Sequence, residues 1–215
     1  MTTMPITAQA DEPEISWREQ KKHRTRRDLV AVSQRLFLAQ GYSGTTLDDI
    51  CDEAGVRPQT LLRYFESKAH LALAPLYDLF DAFRARLQDP DRTEDAVALW
   101  RANVEAESVR RADHVADYFG WVNAEPVLRA MADELNTRYE DLLAAEIATD
   151  DEAGPDDFHS VMLATMLIRG NAAVLRRWTA SGGDARGLAA NKVAVVDFVL
   201  EVFPGRPTVG GPRLA

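Results

Sequence analysis

Residues 41–65 run Gly41-Tyr-Ser-Gly-Thr-Thr-Leu-Asp-Asp-Ile50, Cys51-Asp-Glu-Ala-Gly55, Val56-Arg-Pro-Gln-Thr-Leu-Leu-Arg-Tyr-Phe65. Thr46 stands where a side-chain oxygen can accept from an early backbone N–H of a helix, and Asp48 and Asp49 suit the positive end of that helix. Gly55 stops it. Pro58 then fits the first position of the next helix, where its missing N–H would find no partner anyway. Two short helices joined by a tight Ala54-Gly55-Val56 turn are what a helix-turn-helix needs. Ile50, Ala54, Val56, Leu61 and Phe65 supply its small core, while Arg57, Gln59, Thr60, Arg63 and Tyr64 point outward. Those side chains carry the groups that read base edges and phosphates. Spacing alone leaves open a plain structural cluster of three helices with a solvated face.

N-terminal to this unit, Ser16-Trp-Arg-Glu19 fits a capping box and predicts a helix start. Leu29, Val32, Leu36 and Phe37 recur at three- and four-residue intervals as one buried stripe, and Gly41 is expected to end the helix in a left-handed conformation. The segment Lys21-Lys-His-Arg-Thr-Arg-Arg27 places five fixed cations in seven residues. Before a recognition unit, Lys21, Lys22 and Arg24 are candidates for phosphate contact. The chain as a whole has a net charge of −9, which argues against a nucleic-acid partner until the charges are mapped. Residues 16–68 hold ten basic and seven acidic side chains, whereas residues 69–215 hold 15 basic and 24 acidic ones. A basic N-terminal module on an acidic body is the distribution expected of a double-stranded DNA binder.

Period-two alternation and hairpin signals are missing throughout, so the predicted fold is all-α. Ser67 caps a fourth helix that Pro75 should kink or split. Thr93-Glu-Asp95 opens a fifth, Ser108 is a candidate start for a sixth, and Glu125-Pro126 opens a seventh reaching about Thr149. A loop at 150–154 precedes a long helix from Pro155 to about Ala180, and a last one covers about Ala185 to Phe203. The predicted organisation is a disordered tail (1–15), a three-helix helix-turn-helix domain (16–66), a larger helical ligand-binding and dimerisation domain (67–204), and a second tail (205–215).

The ordered motifs at 41–50, 54–56, 58–65 and Ser67-Lys68 resemble the N-terminal signature of TetR-type transcriptional regulators. The resemblance covers about residues 20–72. It implies a homodimer that binds a DNA operator and is released by a small molecule. By position it implies that Thr46 contacts phosphate, that Arg57, Pro58, Gln59 and Thr60 begin the recognition helix, that Arg63 and Tyr64 touch bases or backbone, and that Lys68 clamps a phosphate. Leu62 stands where the family usually has Tyr, and Arg57 where a capping Ser is common.

In the body, aromatic and Met side chains at helical spacing permit a cavity for a mostly apolar ligand. Trp100, Asn103, Trp121, Met131, Met162, Met166 and Arg169 are candidate lining residues, with Asn123, Asn171 and Arg110 as further polar handles. An anionic ligand would need Arg110, Arg111 or Arg169 to face inward. Val161, Leu167, Leu175, Val196, Val199 and Leu200 are candidates for a dimer interface built as a four-helix bundle. The four histidines show no zinc-ligand spacing, and neither a P-loop, a Rossmann glycine pattern nor a nucleophile elbow occurs, so neither catalytic residues nor a metal or cofactor are expected. No uninterrupted apolar run reaches the roughly 18 residues of a membrane span. A single cysteine, Cys51, and the lack of a visible leader fit a cytoplasmic protein. A helical enzyme and a protein-binding adaptor are the alternatives.

Overall fold

The computed structural model describes residues 16–110, 115–181 and 185–203. Among these are nine helices and no strand: α1 (Trp17–Gln40), α2 (Leu47–Ala54), α3 (Pro58–Tyr64), α4 (Lys68–Leu87), α5 (Ala96–Arg110), α6 (Val115–Ala124), α7 (Pro126–Asp150), α8 (Phe158–Ser181) and α9 (Ala185–Val202). The predicted tails, and Arg111, lie outside the described residues.

Local capping explains most of the boundaries. Both capping boxes form, Ser16 with Glu19 and Thr46 with Asp49. Gly55 is left-handed, with φ +64°, which only glycine adopts without steric cost. Gly41 also has positive φ (+80°), but its ψ of 159° lies outside the left-handed helical conformation expected there. Asp95 accepts the Ala98 N–H at 2.7 Å and Asp150 accepts the Ala96 N–H at 2.7 Å, so two carboxylates cap α5. Ser108 lies inside α5 and starts nothing. Helix α8 begins at Phe158, three residues later than expected, because Asp157 is its cap and accepts from both the backbone N–H and the hydroxyl of Ser160 at 2.9 Å.

Helix α4 runs unbroken through Pro75. Proline forfeits one helical hydrogen bond, but Leu71, Ala72, Leu73 and Ala74 are all buried just before it, so packing on every side holds the helix. That burial reflects its position across two cores. The first core joins Leu29, Phe37, Tyr42, Ile50, Leu61 and Phe65 to the first half of α4, and also to Tyr118 and Val122 of α6 and Leu128 of α7. The second joins Phe83 and Leu87 of α4 to α5, the second half of α7, α8 and α9. The first core therefore extends past residue 66 into the body.

Helix α8 is long and apolar enough to cross a membrane by length and composition, with mean hydropathy 1.3. It carries the buried polar residues Ser160, His159 and Asn171 and packs against α6, α7 and α9. Leu167 and Val196 are completely buried and Val199 nearly so, all inside the second core. They are unavailable to a second copy of the chain, which corrects their assignment to a dimer interface. Exposed apolar surface on α9 comes from Leu200, one of the expected interface residues, and from Phe198 and Val202.

Candidate nucleic-acid interface and body cavity

Helix α3 is seated by Leu61 and Phe65, and its other face is open. Arg57, Pro58, Gln59, Leu62 and Arg63 are exposed, and Thr60 and Tyr64 half-buried. Arg57 occupies the cap position of α3, where its guanidinium, which has donors only, cannot accept the helix's unpaired N–H groups and makes no side-chain cap. Arg63 lies 5.3 Å from the Tyr64 ring centroid, a cation–π contact that leaves its donors outward. Neither arginine has an ion pair among the described residues. Leu62 is 52% exposed, an apolar contact surface amid polar readers.

Thr46 is exposed at the start of α2. Its oxygen accepts the Asp49 N–H at 3.1 Å, and Asp49 accepts the Thr46 N–H at 2.8 Å. Asp49 is held below the usual carboxylate range by hydrogen bonds from the Thr46 hydroxyl and from the Thr46 backbone N–H.

Lys68 has partners within the fold itself. Its ammonium donates to the carbonyls of Tyr42 and Thr45, each at 2.9 Å, and sits 4.2 Å from the Tyr42 ring centroid. Two of its three N–H groups thus tie the 42–45 loop to the start of α4, and one is left for any phosphate. The basic run of α1 is similarly divided. Arg26 makes a two-pronged ion pair with Asp78 of α4, at 2.7 and 2.9 Å, and lies over the Phe65 ring. Lys21, Lys22 and Arg24 are exposed, with Lys21 over the Trp17 ring. Cys51 is buried, and burial followed by the nearby Asp48 and Asp52 pushes its thiol up, which makes it an inert packing residue.

The body contains a cavity of about 160 Å³, roughly ten times what one water needs, lined from all six helices α4–α9. Trp100 and Asn103 line it, as do Asn123 and Asn171. The other candidates do not. Trp121 stacks on Tyr42 with centroids 6.3 Å apart and Met131 packs with it on the first core. Met162 and Met166 are half-buried on α8 away from the cavity, and Arg169 faces outward to Glu140, Asp133 and Thr137 of α7. The side chain of Arg110 lies outside the described residues. Leu175, expected at a dimer interface, lines the cavity instead, and Val161 packs partly on the second core.

The missed lining residues include Arg129, Asn136, Arg176 and Lys192. One signal was available for part of the set. Asparagine is a poor helix former in mid-helix, yet Asn103, Asn123, Asn136 and Asn171 all sit within helices and all line the cavity. Two buried groups here lack partners, the Trp100 indole N–H and the Asn171 Oδ1. Leaving each unpaired costs about 1–3 kcal/mol.

Helix α6 belongs to both places. Phe119, Val122 and Asn123 line the cavity, while Tyr118 and Trp121 pack into the first core, and the Tyr118 hydroxyl donates to the Ala72 carbonyl at 3.2 Å.

Residues 29–74 match the family described as "Bacterial regulatory proteins, tetR family". The HTH-type transcriptional regulator TcmR of Streptomyces glaucescens is 42% identical over 71 residues, covering 33% of this chain and 31% of that protein. MftR of Mycobacterium tuberculosis, named for regulation of mycofactocin biosynthesis, is 30% identical over 97 residues, covering 42% and 49%. The chain thus spans about a third to a half of the length of these curated relatives. A crystal structure of a protein from Syntrophomonas wolfei assigned to the TetR family superposes with a TM-score of 0.64 at 15% identity, covering 87% of this chain and 99% of that one. At that identity the superposition shows the fold alone.

Proposed function

We propose that this chain, whose residues 29–74 form a TetR-family DNA-binding domain, is a homodimeric, ligand-responsive transcriptional repressor. The observation that carries this reading is the outward face of α3, where Arg57, Gln59 and Arg63 stand exposed and unpaired on a helix anchored by Leu61 and Phe65. Two such helices on a dimer enter successive major grooves when set about 34–36 Å apart. Thr46 and the exposed cations of α1 supply phosphate contacts. A cytoplasmic location follows from a DNA target.

Release by ligand needs only that the ligand prefer one body conformation. A tenfold loss of operator affinity takes about 1.4 kcal/mol of differential binding. Two helices are built to carry it. Helix α4 runs from Lys68 through both cores, and α6 forms the cavity wall on one face and the first core on the other. The partners of the dimer would meet on the α8–α9 face, where Phe198 and Val202 stand out.

The test is duplex binding by the full chain as a function of salt. The affinity should fall steeply between 50 and 200 mM, with a slope of roughly 0.9 per phosphate contacted. A flat dependence would leave an adaptor that binds protein alone.

A further inference from the structure

We propose that Leu62 reads sequence, by packing against the 5-methyl group of a thymine in each operator half-site. This rests on the reading of α3 as the recognition helix. It adds a contact of this chain's own, because Leu62 stands where the TetR-type signature usually has a tyrosine.

The rows of α3 place the side chain. Leu61 and Phe65, four residues apart, are buried and seat the helix on the first core. Gln59 and Arg63, also four apart, are exposed and form a polar row on the outward face. Leu62 follows Leu61 by a turn of about 100°, which sets it at the edge of that face, with Pro58 four residues before it and Gln59 three. Pro58 is exposed as well, so an apolar row runs beside the polar one. Three residues advance a helix by about 4.5 Å, little more than the roughly 3.4 Å between successive base pairs. A base pair next to the one that Gln59 meets is therefore within reach of Leu62.

A single leucine on a free surface needs no explanation. This one is 52% exposed on a face that a duplex covers, and between Leu38 and Val127 no other large apolar side chain is exposed among the described residues. Once covered, it has neither a donor nor an acceptor to offer a base edge. Pressed on the polar edge of guanine, adenine or cytosine, it would take water away and put nothing in its place, which costs free energy. Thymine alone among the four bases shows the major groove a methyl group. Against that methyl both surfaces leave water together. Leu62 thus favours one base and penalises the other three, which is what specificity requires. The side-chain amide of Gln59 suits adenine, so the two rows together favour A·T pairs at neighbouring positions of the half-site.

The test takes a duplex that the full chain enriches from a random pool and replaces each thymine in turn, in both half-sites together, with deoxyuridine. That removes the methyl group and keeps every hydrogen-bonding group. Affinity is read by fluorescence anisotropy at fixed salt. One symmetric pair of replacements should weaken binding about fourfold per half-site, the worth of one buried methyl-sized group, and so roughly tenfold or more in total. Leu62→Ala should melt with the parent, because the side chain is exposed, bind the thymine duplex less tightly and no longer distinguish it from the uracil one. Uracil duplexes that all bind as the thymine duplex does overturn the proposal, as do enriched half-sites without thymine. So does a penalty that persists undiminished in Leu62→Ala, which would give the methyl group to another side chain such as Pro58. If no duplex is enriched, the recognition-helix reading falls and this contact with it. An operator that is enriched but indifferent to uracil leaves that reading in place and removes Leu62 alone.

Discussion

The two regions keep their unsatisfied groups on opposite sides. The helix-turn-helix turns Arg57, Gln59 and Arg63 outward from a closed apolar core, and its one buried thiol, Cys51, is made inert by burial. The body keeps its unsatisfied groups inside, with the Trp100 N–H and Asn171 Oδ1 buried in residues that line a cavity. Several of its cations are engaged, as Arg92 is with Asp150 and Glu146, and Arg101 with Asp197. The first arrangement suits a large polyanion that arrives from outside, since exposed cations cost little until phosphate meets them. The second suits a small molecule that must be enclosed, because only a buried orphan is worth much when paired.

Substitutions can break this contrast, and the largest effect is expected at the surface where neither region acts alone. Phe198→Glu should leave each subunit folded, because the side chain is exposed, but yield a monomer by analytical ultracentrifugation. Loss of the second half-site contact should then lower operator affinity on the order of 100-fold or more. A dimer that persists would place the interface elsewhere than α9.

Next in size are the outward side chains of α3. Arg57→Ala and Arg63→Ala should each cost about 1–3 kcal/mol at the cognate site and relax sequence preference if they read bases. A uniform loss over all sequences, with the salt slope lower by about one phosphate, would mark them as backbone contacts.

Lys68→Met sharpens the boundary between structural and DNA-facing cations. Two loop carbonyls would lose their donor, so the thermal melt should report a loss of about 1–3 kcal/mol. Operator affinity measured well below the melt should change less than tenfold. A variant as stable as the parent, with weaker binding at every sequence, would restore Lys68 to the phosphate clamp.

The smallest effect concerns the cap that aims Thr46. Asp49 has a lowered folded pKa, so its contribution is present at neutral pH and lost as the pH falls through the folded value. Thr46→Val should therefore melt slightly below the parent at pH 7, and the difference should shrink in acid. A difference that grew as the pH fell would refute that coupling.

The parts legible in sequence were those set by near neighbours. Caps and turn residues act over three or four positions, so Thr46, Gly55 and Pro58 declared α2 and α3 directly. The structural part that Lys68 plays could not be read, because its acceptors, the carbonyls of Tyr42 and Thr45, come from 26 and 23 positions earlier in the chain and no motif encodes them. The apolar count on α8 and α9 revealed that both are heavily packed but not against what, so Leu167 and Val196 looked like interface when they are core. The cavity is lined from six helices, and only its helical asparagines and aromatic residues such as Trp100 left a trace that a single sequence can show.

The central claim is that α3 reads duplex DNA in two copies. Selection of random duplexes by the full chain, followed by sequencing, tests it most directly. The account predicts an enriched inverted repeat with half-sites about one helical turn or a multiple of it apart, and loss of enrichment at specific positions with Gln59→Ala or Arg63→Ala. No enriched sequence, or an enriched motif that is indifferent to every α3 substitution, would contradict it.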